Sequence, residues 1–146
     1  MDTTRVSKTI NAPMHFVYDW CTDFRDDDPA ITGSKSRRIV LARTKKKVVY
    51  AQLYEGADGS QKVAVDIVTL NPPDSWHLDY FGEEDDETGE YHLKDLGNGK
   101  TRLDMVFKEK WKILKTPTLE EQTNQTSRVW DKYVEALEED YKSGSR

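Results

Sequence analysis

Cysteine is almost missing from this chain. Cys21 stands alone, which excludes an intramolecular disulfide and a cysteine-built zinc site. Long apolar runs are missing too, and none approaches the roughly 20 residues that span a bilayer. The opening Met1-Asp2 leads into neither a basic n-region nor an apolar h-region, so no secretory signal is expected and the cytoplasm is the expected address. There is no excess of basic charge: the formal net charge is −5, which argues against nucleic acid as a general partner. G-x-S-x-G, P-loop and H-E-x-x-H patterns are all absent. His15, His77 and His92 share no metal-binding spacing, and His77 alternates outward from Trp76 and Leu78. Asp26-Asp27-Asp28 lacks the alternating ligands and the glycine of a calcium loop, and reads as solvated loop. No metal and no cofactor are expected.

What is present suits one folded domain over residues 1–146, long enough for one core and too short for two comfortable ones. Only 36% of the residues are hydrophobic and 34% are charged. Four Trp, seven Tyr and four Phe compensate, because large rings fill a core with few residues. A disordered chain would lack them.

Along the chain, Arg5 to Ile10 alternates as a strand, and Pro13 to Cys21 places Phe16, Val17, Trp20 and Cys21 at helical spacing. A second short helix or loop runs from Asp23 to Gly33. Strand-like segments then alternate with turn signals: Arg37–Thr44, Val48–Glu55, Gln61–Leu70, Trp76–Phe81, Gly89–Lys94 and Thr101–Ile113. The turns are Lys45 to Lys47, Ala57-Asp58-Gly59, Asn71-Pro72-Pro73-Asp74, the acidic run Glu83 to Glu87, and Gly97-Asn98-Gly99. With Arg43, the lysine turn is a basic tip able to touch anionic lipid transiently, although a solvated, edge-protecting turn is the simpler reading. In the last strand Leu103, Met105, Phe107, Trp111 and Ile113 take one face and charged residues dominate the other, so one side of the sheet is buried. The cover is a long final helix. Thr118 and Glu121 have capping-box spacing, and Leu119, Thr123, Thr126, Val129, Trp130, Tyr133, Val134, Leu137 and Tyr141 trace a stripe up to Ser143-Gly144.

Three stretches carry a family resemblance: R-V-S-K-T-I-N-A-P-M-H-F-V-Y-D-W, I-V-T-L-N-P-P-D-S-W-H-L-D-Y, and G-N-G-K-T-R-L-D-M-V-F. In this order and spacing they resemble the START-like helix-grip (SRPBCC) superfamily, and within it the polyketide cyclase/dehydrase and lipid-transport branch. The resemblance implies an α+β fold: a curved antiparallel sheet of about seven strands, two short helices, and a long C-terminal helix packed across the sheet. It also implies a cavity between sheet and helix for lipids, polyketides or other apolar molecules. It implies no shared catalytic residue.

Trp76, Leu78, Tyr80, Tyr91, Met105, Phe107, Trp111, Thr126, Trp130 and Tyr133 fall on the faces expected to point inward. Any one of them is more simply core; as a set they read as the lining of a ligand cavity. Glu109 sits among them between Phe107 and Trp111. It is either an acid/base or ligand anchor, or a carboxylate near the sheet edge that reaches water or a lysine. Asp66 reads as outward, because Val63, Val65 and Ile67 take the other side. Three functions follow. The first is binding or carriage of an apolar small molecule without catalysis. The second is an aromatase/cyclase-type enzyme using the same cavity, and the third a regulatory interaction domain with a filled core. The lack of a recognisable acid/base pair favours the first.

Overall fold

In a computed structural model, which describes residues 2–145, period-two segments become strands and the long stripe becomes a helix. The order is β1 (Asp2–Ile10), α1 (Met14–Cys21), α2 (Asp28–Ile31), β2 (Arg37–Arg43), β3 (Lys47–Glu55), β4 (Gln61–Asn71), β5 (Ser75–Gly82), β6 (Asp85–Gly97), β7 (Lys100–Trp111) and α3 (Leu119–Ser143). The seven strands form one antiparallel sheet in the order β1-β7-β6-β5-β4-β3-β2. The first strand therefore pairs with the last, and α1 and α2 bridge from β1 to β2 at the far edge. This is the expected helix-grip architecture. No helix among the described residues is long and apolar enough to cross a membrane.

The turn chemistry works as the residues demand. Gly97, Asn98 and Gly99 all adopt positive φ, which glycine and asparagine tolerate best. Thr118 caps α3 reciprocally with Glu121, and Gly144 closes the helix in the left-handed conformation. Alternation on β7 buries Leu103, Met105 and Phe107, which pack with Ile10, Val17, Val48, Val68 and Leu137 into the core. Thr101, fully buried, donates its hydroxyl to the Ala12 carbonyl at 2.8 Å and ties the start of α1 to β7.

α3 is pinned from Ser127 to Asp140. Lys8 of β1 bonds Ser127 at 2.8 Å and Asp131 at 2.5 Å, the Asn11 amide donates to Glu138 at 2.7 Å, and the Trp20 indole donates to Asp140 at 2.8 Å. At the other end, the first turns of α3 stand over β6 and β7. There the helix meets an open space instead of packed side chains.

Four local expectations are corrected. Pro13 is the N-cap residue of α1, and helical conformation begins at Met14. The acidic turn is only Glu83-Glu84; Asp85 and Glu87 already belong to β6. Asp28 is not solvated. It is buried against Arg38 in a 2.9 Å ion pair whose two side chains are 12% and 11% exposed. Leu119 is 44% exposed, and the residue that buries the first turns of α3 is Gln122. The row that faces the sheet is 122, 126, 129, 130, 133 and 137, so Leu119 is one step too early.

Asp66 is also placed inward. Ala64, Asp66 and Val68 face the helix, while Val63, Val65 and Ile67 lie on the outer face. β-Branched residues favour strands whichever face they occupy, so their presence misleads about direction. The Asp66 carboxylate accepts from Gln52 at 2.7 Å and from the Tyr50 hydroxyl. Burial pushes it up to about 6, against the lowering effect of those bonds and of Arg38. A carboxyl raised in the folded state binds its proton more tightly than the unfolded chain does. Stability is thus greatest below about pH 4 and is lost as pH rises towards 6, by roughly 2–3 kcal/mol. Asp66→Asn keeps the shape and one acceptor. It is expected to gain about 1–2 kcal/mol at pH 8 and to flatten this limb in urea melts taken from pH 4 to 8; an unchanged pH profile would contradict it.

Candidate functional site

Two chambers lie between the sheet and the helices. The deeper one, about 150 Å³, is lined by Trp76 and Leu78 of β5, Tyr50 of β3, Tyr133 of α3 and the Arg38–Asp28 pair. Arg38 also lies 4.5 Å from the centre of the Tyr50 ring, so its charge is shared between a carboxylate and an aromatic face. The second chamber, about 320 Å³, opens under the first turns of α3. Phe107 and Trp111 form its floor, Thr126 and Val129 its roof. Tyr91 and Trp130 line both chambers and stand 6.0 Å apart, ring centre to ring centre. They form the wall between them. Tyr91 in turn stacks on Trp76 at 4.8 Å and meets Phe107 edge-on at 5.5 Å.

Space for these rings comes from Gly89. A Cβ there would lie 3.0 Å from the Tyr91 ring and 3.2 Å from Phe107. Of the ten lining residues expected from sequence, Trp76, Leu78, Tyr91, Trp130 and Tyr133 border the deeper chamber. Phe107, Trp111 and Thr126 border the other, with Tyr91 and Trp130 common to both. Met105 is packed in the core at 1% exposure. Tyr80 faces a separate groove with Tyr54 and Gln52.

The polar end of the larger chamber is the feature sequence reasoning missed. On the inward side of the sheet, Glu87 of β6 pairs in register with Glu109 of β7, and Asp85 lies two residues before Glu87 on the same face. Carboxylate oxygens of all three lie within 4.8 Å of one another. Glu109 lies half-buried two residues from the end of β7, which runs between β1 and β6, and shares a small volume with two more carboxylates. Burial, then hydrogen bonding and repulsion from Glu109, push Glu87 well above the usual carboxylate range. The same causes raise Asp85. A signal was available: Glu87, Gly89, Tyr91 and Leu93 keep strict alternation, which carries β6 back through the acidic run.

Gln122 of α3 lines the same chamber as Glu87 and Glu109. It is 5% exposed, and neither its amide nitrogen nor its amide oxygen has a hydrogen-bond partner. Native proteins rarely leave such groups unmet. The site thus offers a hydrogen-bonding, acidic end and an aromatic body. Three oxygens at this spacing also suit a hard cation. His77 stays on the outer face, between Asp79 and Glu90, and takes no part.

No family model and no curated protein matches the chain. Solved structures do match it over nearly its whole length. The protein TTHA0849 from Thermus thermophilus aligns with a TM-score of 0.75 and 17% identity, covering 99% of this chain and 100% of that one. The Zhui aromatase/cyclase from Streptomyces sp. R1128 aligns at 0.73 and 13% identity, covering 97% and 93%. A START superfamily protein from Mycobacterium smegmatis aligns at 0.71 and 15% identity, covering 98% and 99%. At these identities the likeness establishes the fold. The chain adopts the START-like helix-grip fold.

Proposed function

We propose that this protein binds or carries an apolar small molecule, of lipid, polyketide or isoprenoid-like character, between the sheet and α3. The observation that carries this reading is the 320 Å³ space under the first turns of α3, walled by Phe107, Trp111, Val129 and Trp130. A core that served stability alone would be close-packed there, whereas this open space sets aromatic walls beside polar groups, as ligand sites do. The same space argues against the filled-core, regulatory reading. The proposed partner is a hydrophobic small molecule and not nucleic acid, and the proposed setting is the cytoplasm.

A second reading has one observation of its own. Glu87 and Glu109 face each other in register beside the cavity with carboxylate oxygens within 4.8 Å, and such pairs can serve as general acid and base. An aromatase/cyclase-type activity on a polyketide-like substrate would use them, and a structural neighbour at 13% identity is described as an aromatase/cyclase. Binding remains the first reading because it needs only the space and its walls.

Native mass spectrometry of protein purified from its natural host tests the proposal. One retained apolar molecule per chain is expected. Protein that is empty as isolated, and whose melting temperature no apolar compound raises, would overturn it.

A further inference from the structure

We propose that the ligand of the larger chamber carries a protonated amine, seated among Asp85, Glu87, Glu109 and Gln122, with its apolar body against Phe107, Trp111 and Trp130. This rests on the reading of the chamber as an apolar-ligand site and names the charge of the ligand. Three observations converge. First, the three carboxylates share one small volume, while nearby Lys112 pairs with Asp86 at 2.8 Å and donates to the Gly82 carbonyl at 2.9 Å. A positive group between the carboxylates would turn mutual repulsion into attraction. A fatty-acid carboxylate would add a further like charge.

Second, Gln122 brings a buried, unpartnered amide to the same chamber from the opposite side. Its oxygen can accept an N–H of the ligand's ammonium group, which gives the unmet amide a partner. Third, Tyr91, Phe107, Trp111 and Trp130 give the same chamber four aromatic rings. Ring faces attract organic cations and do little for a hydrated metal ion. A chamber of about 320 Å³ also exceeds the needs of one ion and fits an amine with a medium chain or ring system.

The test compares decylamine, decanol and decanoate, which share one tail, by calorimetric titration of ligand-stripped protein at pH 7. Decylamine is expected to bind at least about tenfold more tightly than decanol, and decanoate most weakly. In Glu87→Gln/Glu109→Gln, which keeps volume, the preference for the amine should fall by about tenfold while decanol stays within about twofold. Retained decanol binding also certifies that the variant is folded. Gln122→Leu is a second variant and should weaken the amine in an otherwise intact acidic cluster. Equal binding of amine and alcohol, or a preference unmoved by the double variant, would overturn the amine proposal and leave the apolar cavity standing. Failure of all three ligands would instead remove the cavity reading on which it depends. Stabilisation by calcium or magnesium chloride that both variants abolish, without amine selectivity, would assign the cluster to a metal ion and equally overturn the proposal.

Discussion

Trp130→Ala is expected to lower the free energy of unfolding by roughly 2–4 kcal/mol. Full truncation of a buried tryptophan costs about 3–5 kcal/mol, and Trp130 is only partly buried. Its ring contacts Tyr91 at 6.0 Å and Tyr133 at 5.2 Å, each adding a favourable edge or tilted contact. The same substitution removes half of the wall between the chambers. A destabilised but folded Trp130→Ala should therefore accept bulkier ligands than the wild type. Urea melts supply the first quantity and a ligand-size series the second. Stability within half a kcal/mol of wild type would mean that α3 does not rest on this ring.

The second large effect concerns the acidic cluster. Glu87→Gln in ligand-free protein is expected to raise stability by roughly 2–4 kcal/mol at pH 8 and by almost nothing at pH 4. The sign follows from the direction of the shift. Burial and Glu109 raise the proton affinity of Glu87 in the folded state, so at low pH both folded and unfolded forms are protonated and nothing is lost. As pH climbs past the usual carboxylate range the unfolded chain ionises first, and each further unit favours unfolding by about 1.4 kcal/mol until the folded group also ionises. Melting temperatures from pH 4 to 9 should fall for the wild type and fall much less for Glu87→Gln. A wild-type profile that rises over this range would contradict the account. The cluster therefore weakens the empty fold at neutral pH. A sequence that keeps Glu87, Glu109 and an unmet Gln122 amide facing one cavity, with Asp85 beside them, gives up stability where a ligand would recover it.

Much of the fold was legible because local signals agreed with one another. Leu103, Met105 and Phe107 alternate without interruption and are all buried. The Thr118–Glu121 spacing is a capping box in three dimensions. Most of the aromatic lining was legible for the same reason, since ring positions follow strand parity and helix pitch.

The polar end was not. Glu87 and Asp85 sit in an acid-rich stretch that composition assigns to a solvated turn, and only the parity of Gly89 and Tyr91 reveals that they point inward. Asp66 was hidden by the valines and isoleucine around it, which line the outer face of β4. Gln122 was hidden because a stripe drawn through apolar residues passes over a buried amide. In each case the rule that polar residues face water is broken, and two of the three breaks are at the cavity. The third, Asp66, is satisfied by Gln52 and Tyr50.

The central claim is that the space under the first turns of α3 is a ligand chamber. Titration of an environment-sensitive apolar fluorophore into wild type and Thr126→Trp tests it most directly, because Thr126 lines that chamber and an indole there would occupy it. Wild type should bind about one equivalent, and Thr126→Trp should bind little while keeping its circular-dichroism spectrum and melting temperature. Equal saturable binding by both proteins, or none by wild type, would contradict the claim.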